Sequence, residues 1–243
     1  MAKGFLPYSL DQHLLLPPDM RGWLAEGHLA LFVSDVVDQL DLSEIFATYL
    51  KDETRGRAGY HPQMMVKILL YGYATGVTSS RKLERKTTED VAFRVLSGDQ
   101  QPDHDSIASF RKRHLGQLGG LFLQVLVLCQ KAGLVKLGHI AIDGTKMGAN
   151  ASKHKAMSYG RMSDAEKKLE DEVKALLKEA GRALYKMRKP IVEPVFGQLK
   201  AARGLRRFAM RGLGYALAEF LFIALTHNLL KMFRFAPRLE NAA

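Results

Sequence analysis

Cysteine is nearly absent from the chain, with Cys129 alone among 243 residues. An internal disulfide and any zinc site built on paired cysteines are thereby excluded. Cys129 closes the apolar run Leu121–Leu128 and reads as a small buried residue of a reducing cytoplasm. Met1–Leu10 lacks a continuous apolar core, so no signal peptide is visible. Internal repeats and low-complexity tracts are missing too. Strand-like sequence is scarce: only Gly138–Thr145 (GHIAIDGT) combines a short apolar run with an Asp-Gly turn. Acid is short where base is plentiful. Residues 182–211 hold nine Lys or Arg and a single carboxylate, Glu193, whereas residues 1–54 carry a net charge of −6 within a chain of +11. Charge segregated in this way points to a polyanionic partner, nucleic acid before membrane.

What is present is mostly helical pattern, and 47% hydrophobic residues suffice for a real core. The chain is expected to be mainly α. Leu29–Leu40 reads as a short acidic helix, and Pro62 opens a strong one over Gln63–Ala74 with a broad apolar stripe. Gly76–Ser80 forms a turn, Arg81–Lys86 a basic helical turn, and Thr87–Asp90 fits a capping box that starts a helix to Leu96. Three short helices with tight turns suggest a helix-turn-helix-like unit with Arg81, Lys82, Arg85 and Lys86 facing DNA, a pattern that small helical bundles share. The next helix begins after Gln101 with caps and the basic cluster Arg111, Lys112 and Arg113. It runs to about Ala132, or breaks at Gly116, Gly119 and Gly120. A charge-balanced helix follows from Ser163 to near Gly181, then Val195–Arg203 and Leu213–Phe233 with Gly204 and Gly212 as breaks. Tyr215–Phe233 is long and apolar enough to test as a membrane span. Glu219, His227 and Asn228 would then sit in hydrocarbon at a cost of several kcal/mol, so a buried or amphipathic helix of a soluble protein is the better reading.

Two carboxylates stand out. Asp143 ends the lone strand, where it either projects into a crevice to bind Mg²⁺ or simply makes the Asp-Gly turn. Glu193 sits between Pro190 and Pro194 at or near a helix start, with Lys189 four residues before it and Lys200 seven after, on one face if the helix extends that far. A carboxylate so placed stays ionised and can hold a divalent cation while its basic neighbours grip a phosphate backbone; the plain alternative is a solvated basic helix start with one salt bridge. His104, His114, His154 and His227 show no mutual ligand spacing. Asn150–Lys155 is a polar loop or a phosphate contact.

Several stretches together resemble insertion-sequence transposases of the DDE class with an InsH-like helical N-terminal domain. They are Leu14–Pro18 (LLLPP), Gly59–Gly98, Pro102–His114 (PDHDSIASFRKRH), Ile140–Lys155 (IAIDGTKMGANASKHK), Arg188–Phe208 (RKPIVEPVFGQLKAARGLRRF) and Thr226–Leu230 (THNLL). The family's C-terminal signature is Tyr, two residues, Arg, three residues, Glu, six residues, Lys. Glu193 and Lys200 fit it; Tyr185 and Arg188 are correctly spaced from each other but one place off, and Lys189 is in register with the glutamate.

The resemblance implies DNA strand cleavage and transfer on an RNase H-like sheet, where three carboxylates hold two Mg²⁺ ions that activate a water or a 3′-hydroxyl. It matches Asp143 to the first carboxylate and Glu193 to the third. It further implies a bacterial, cytoplasmic, nucleoid-associated protein that binds its element's terminal inverted repeats, with no membrane partner. Assembly would be with copies of itself or with an intact transposase. The second carboxylate has no match. Forty-nine residues lie between Asp143 and Glu193, half of them helix, and about five strands of five or six residues do not fit there. The expected organisation is a helical N-terminal DNA-binding domain over 1–132, followed by a truncated RNase H-like remnant over 133–243, with an internal deletion near Gly181–Leu184. Three functions follow: a DDE transposase by descent, defective in this copy; a non-enzymatic DNA-binding protein that inhibits intact transposases; or a basic helical protein with only structural or RNA contacts.

Overall fold

The computed structural model describes residues 19–50, 59–134 and 194–235. After a 3₁₀ turn at Met20–Trp23 come α1 (Leu29–Gln39), α2 (Ser43–Leu50), α3 (Pro62–Ala74), α4 (Ser80–Glu89), α5 (Val91–Ser97) and α6 (His104–Lys131). A π-helical turn at Gln198–Ala202 and the long α7 (Leu213–Phe235) complete the described part. The fold is mainly α as expected. Apart from a single bridge residue at Arg207, the described residues contain no strand. The strand ending at Asp143, the helix from Ser163 and the loop Asn150–Lys155 lie outside them.

Local chemistry sets the helix ends. His61 is extended and Pro62 takes the first position of α3, where its missing N–H costs nothing. Beyond it, Met64–Val66 and Ile68–Ala74 are all buried, so α3 is enclosed on every side rather than along a stripe. It closes on Gly76, whose φ of +81° a side-chain-bearing residue rarely adopts. The Val77 N–H reaches the Gly72 carbonyl at 2.7 Å and the Gly76 N–H the Tyr73 carbonyl at 3.3 Å, the paired bonds of a Schellman cap. Asp103 caps α6, accepting from the Ser106 N–H at 2.7 Å.

One sequence expectation is corrected and one open alternative is decided. Thr87–Glu89 do not start a helix; they end α4, with Thr87 fully buried and its hydroxyl donating to the Glu84 carbonyl. The chain breaks at Asp90, extended at φ −114°, whose carboxylate caps α5 through the Ala92 N–H and takes the Lys86 ammonium at 3.0 Å. The threonine-to-acid spacing matched a capping box, but Asp90 is itself the cap. Nor do Gly116, Gly119 and Gly120 break α6, which runs unbroken for 28 residues. Leu115, Leu118 and Leu121, which flank and separate these glycines, are buried, and α7 passes beside Gly119, where a Cβ would make ordinary contact with the Ala218 Cα at 3.5 Å.

One core serves both ends of the chain. Val33, Val36 and Val37 of α1, Ile68 and Leu69 of α3, Leu118 and Val125 of α6, and Phe222, Ile223, Leu225 and Leu229 of α7 belong to a single cluster. By length and hydropathy α7 is the one described helix able to cross a membrane. Here it packs mainly against α6, with Glu219 (1% exposed) and His227 (5%) turned inside the protein.

Candidate nucleic-acid interface

The turn from Thr75 to Ser79, between α3 and α4, is where distant parts of the chain meet. From α6, the Arg111 guanidinium donates to the Thr78 carbonyl at 2.6 Å and to the Tyr73 hydroxyl at 3.3 Å. From the C-terminal part, Arg203 donates through Nε (3.2 Å) and Nη2 (2.5 Å) to the Tyr73 carbonyl and through Nη2 to the Thr226 hydroxyl at 2.5 Å. Its backbone lies so near that a Cβ on Gly76 would stand 2.6 Å from the Arg203 carbonyl oxygen. The Tyr73 hydroxyl donates to Glu219 at 2.8 Å, and that carboxylate also accepts from the Ala209 and Met210 N–H groups at 3.0 and 3.2 Å. Burial raises the Tyr73 phenol well above its ordinary value, with Arg111 opposing and Glu219 adding. Burial also draws the Arg203 guanidinium down to about 10, which leaves it charged at neutral pH.

α4 leaves this turn carrying Arg81, Lys82 and Arg85 exposed, with Leu83 and Thr87 buried on the opposite face. Gly72 makes the docking possible, since a Cβ there would meet the Leu83 side chain at 2.5 Å. The first turn of α4 contains no acid, so Arg81 and Lys82 lie where the helix dipole disfavours cations by about 0.3–1 kcal/mol each. The N-cap residue Ser79 makes no side-chain capping bond. Two cations and the positive end of the dipole thus share the first turn of α4, a combination that suits an anion. Lys86 is half-buried and paired with Asp90.

The Arg111–Arg113 cluster is split by the helix. Arg111 is 7% exposed and spent on the α3–α4 turn, so it is corrected from a surface contact to an internal clamp. Lys112 is exposed, eight residues on and about 80° around the helix from His104, which meets Glu84 of α4 at 2.9 Å. Arg113 follows His104 by nine residues, about half a turn out of phase, and lies over the Tyr49 ring at 6.0 Å. Lys200 is half-buried in the π-helical turn. Lys189, Asp143 and Glu193 lie outside the described residues. Among the described residues, no three His, Cys, Asp or Glu side chains gather as a metal site.

The sequence reading missed Tyr73, Arg203 and Glu219. Only Glu219 carried a signal, as a carboxylate in an otherwise apolar helix; its partner Tyr73 is 146 residues away.

Comparison with family models gives two matches. Residues 18–113 match a transposase domain (DUF772), and residues 147–233 match a transposase DDE domain. No curated protein and no solved structure matches the chain.

Proposed function

The chain belongs to the insertion-sequence transposases of the DDE class, and on that premise we propose that it grips the terminal inverted repeats of its element through α4 and Lys112 and does not cleave DNA unaided. Its family implies DNA binding. The observation that supports α4 as the contact is the placement of Arg81, Lys82 and Arg85, exposed on the first turns of a helix whose dipole opposes them. A phosphate backbone removes that penalty and turns it into attraction. Lys189 and Lys200 are assigned to the same backbone by the spacing of the family signature.

DDE domains act with a divalent metal, which we take to be Mg²⁺. The donor set legible in this chain stops at Asp143 and Glu193, one carboxylate short of the family's three. The forty-nine residues between them leave no room for the strands that would carry the third. This short spacing favours the second reading, a DNA-binding protein that occupies element ends or joins an intact transposase without completing its chemistry.

The test is fluorescence anisotropy of an element-end duplex titrated over a range of KCl. Salt-dependent binding that prefers the element end to scrambled duplex is expected. Arg85→Ala should weaken it and flatten the log K against log salt slope by about one unit. Unchanged affinity in that variant would reassign α4 to solvent.

A further inference from the structure

We propose that Arg206, Arg207 and Arg211 form a second phosphate-binding strip, continuous with α4, that holds the same duplex across the α3–α4 turn. This rests on the DNA-binding reading above and adds a surface to it.

The segment between the π-helical turn and α7 contains no regular helix, yet it is fixed from within. Arg203 is clamped on the Tyr73 carbonyl and Thr226. Leu205 is 4% exposed, and its N–H bonds to the Leu199 carbonyl at 2.9 Å. The Ala209 and Met210 N–H groups converge on the buried Glu219 carboxylate. Inward anchors therefore alternate with outward cations: Arg206, Arg207 and Arg211 are all exposed. No acidic residue occurs from 194 to 218, and Glu219, the first one after that stretch, is 1% exposed and turned inward. The Arg206 Nε donates to the Lys200 carbonyl at 3.2 Å, which fixes its stem on the loop, and a phosphate backbone would neutralise the three closely spaced positive charges.

Their position decides which polyanion. The Arg203 backbone touches Gly76, five residues before Arg81. Chain reach from that contact bounds the separation of Arg81 and Arg206 at about 34 Å, one turn of B-form duplex. One DNA segment can thus bridge both strips. Arg111 ties α6, and with it Lys112, to the same turn.

The full chain is titrated with element-end duplex over the same KCl range, as wild type, as Arg81→Ala/Arg85→Ala, and as Arg206→Ala/Arg207→Ala/Arg211→Ala. All five positions are exposed, and unchanged circular dichroism checks the fold. The loop variant should flatten the slope by about 2–3 units, at about 0.9 per phosphate lost. A variant with lysine at the three loop positions should keep most of the slope, and stoichiometry should be one duplex per chain. If the α4 variant flattens the slope and the loop variant does not, this proposal falls and the DNA-binding reading stands. If wild type shows no salt-dependent binding, both fall. Two independent duplexes per chain would overturn the continuous surface. So would loss of phosphatidylserine-vesicle binding in the loop variant with its DNA slope intact.

Discussion

Replacing Glu219 separates two accounts of the buried network. The carboxylate is 1% exposed and accepts from the Tyr73 hydroxyl (2.8 Å) and from the Ala209 and Met210 N–H groups (3.0 and 3.2 Å). Glu219→Leu removes the acceptor and leaves three donors without it. Each orphaned buried donor costs about 1–3 kcal/mol. The two backbone donors fall at the low end because Ala209 is exposed and water can reach the loop. Against this runs the desolvation penalty of the carboxylate, which the leucine no longer bears. The network also holds the buried Arg111 guanidinium, whose partner Tyr73 would lose its own acceptor. The expected net loss is about 3–5 kcal/mol, a large part of an ordinary domain stability of about 5–15 kcal/mol. In urea, with a slope of about 2 kcal/mol per molar, the unfolding midpoint at pH 7 should fall by about 2 M. Glu219→Gln keeps one oxygen for the backbone groups and lets the Tyr73 hydroxyl rotate to accept, so it should lose only about 1–2 kcal/mol. Circular dichroism at 222 nm follows both. A leucine variant with its midpoint at or above wild type would refute the reasoning, because apolar packing would then replace the network without loss.

Three further outcomes follow from other parts of the molecule. Burial first, then Lys231, Arg203 and Arg234, depress the His227 imidazole to about 4, so it folds neutral; its contribution is complete above pH 6.5 and is lost as pH falls toward 4, about 3 kcal/mol in all, and His227→Asn should flatten that limb of a urea-midpoint against pH profile. Gly76→Ala, with φ +81° and a Cβ 2.6 Å from the Arg203 carbonyl oxygen, should cost about 2–4 kcal/mol in thermal melts, whereas Gly116→Ala in open space on α6 should gain about 0.5–1 kcal/mol. Purified protein should not nick element-end DNA with Mg²⁺ or Mn²⁺; cleavage that disappears in both Asp143→Ala and Glu193→Ala would reveal a replacement acid, Asp164 or a neighbour.

Much of the helix plan was legible because its signals are local. Pro62, the caps before α6 and the break at Gly212 mark boundaries within a few residues of themselves. The failures arose where a local pattern has two readings. Thr87–Asp90 matches a capping box, yet Leu83 and Thr87 bury one face of α4 and hold the helix through Glu89. Arg111, Lys112 and Arg113 are one charged run in sequence, but successive helical residues point about 100° apart. One is therefore buried, one is exposed, and one covers Tyr49. Least legible were pairings across the chain: Arg203 with Tyr73 spans 130 residues, and no periodicity announces it.

Those long-range pairings change what the C-terminal signature means in this chain. Residues 194–208 lie within the stretch that resembles the family, and three of their side chains, Leu199, Arg203 and Leu205, are buried in service of the fold. Leu199 and Leu205 are 3% and 4% exposed in the common core, and Arg203 clamps α3. α7 supplies Phe222, Ile223, Leu225 and Leu229 to the same core and packs against α6. Without α7, Leu118, Leu121 and Val125 would lose part of their common core, and the α3–α4 turn would lose Glu219 and Thr226 from the network beneath it. On the proposed reading, DNA binding through α4 therefore depends on the C-terminal segment whether or not the chain cleaves DNA. Retention of Leu199, Arg203 and Leu205 is thus no argument for retained catalysis, because the fold itself requires them.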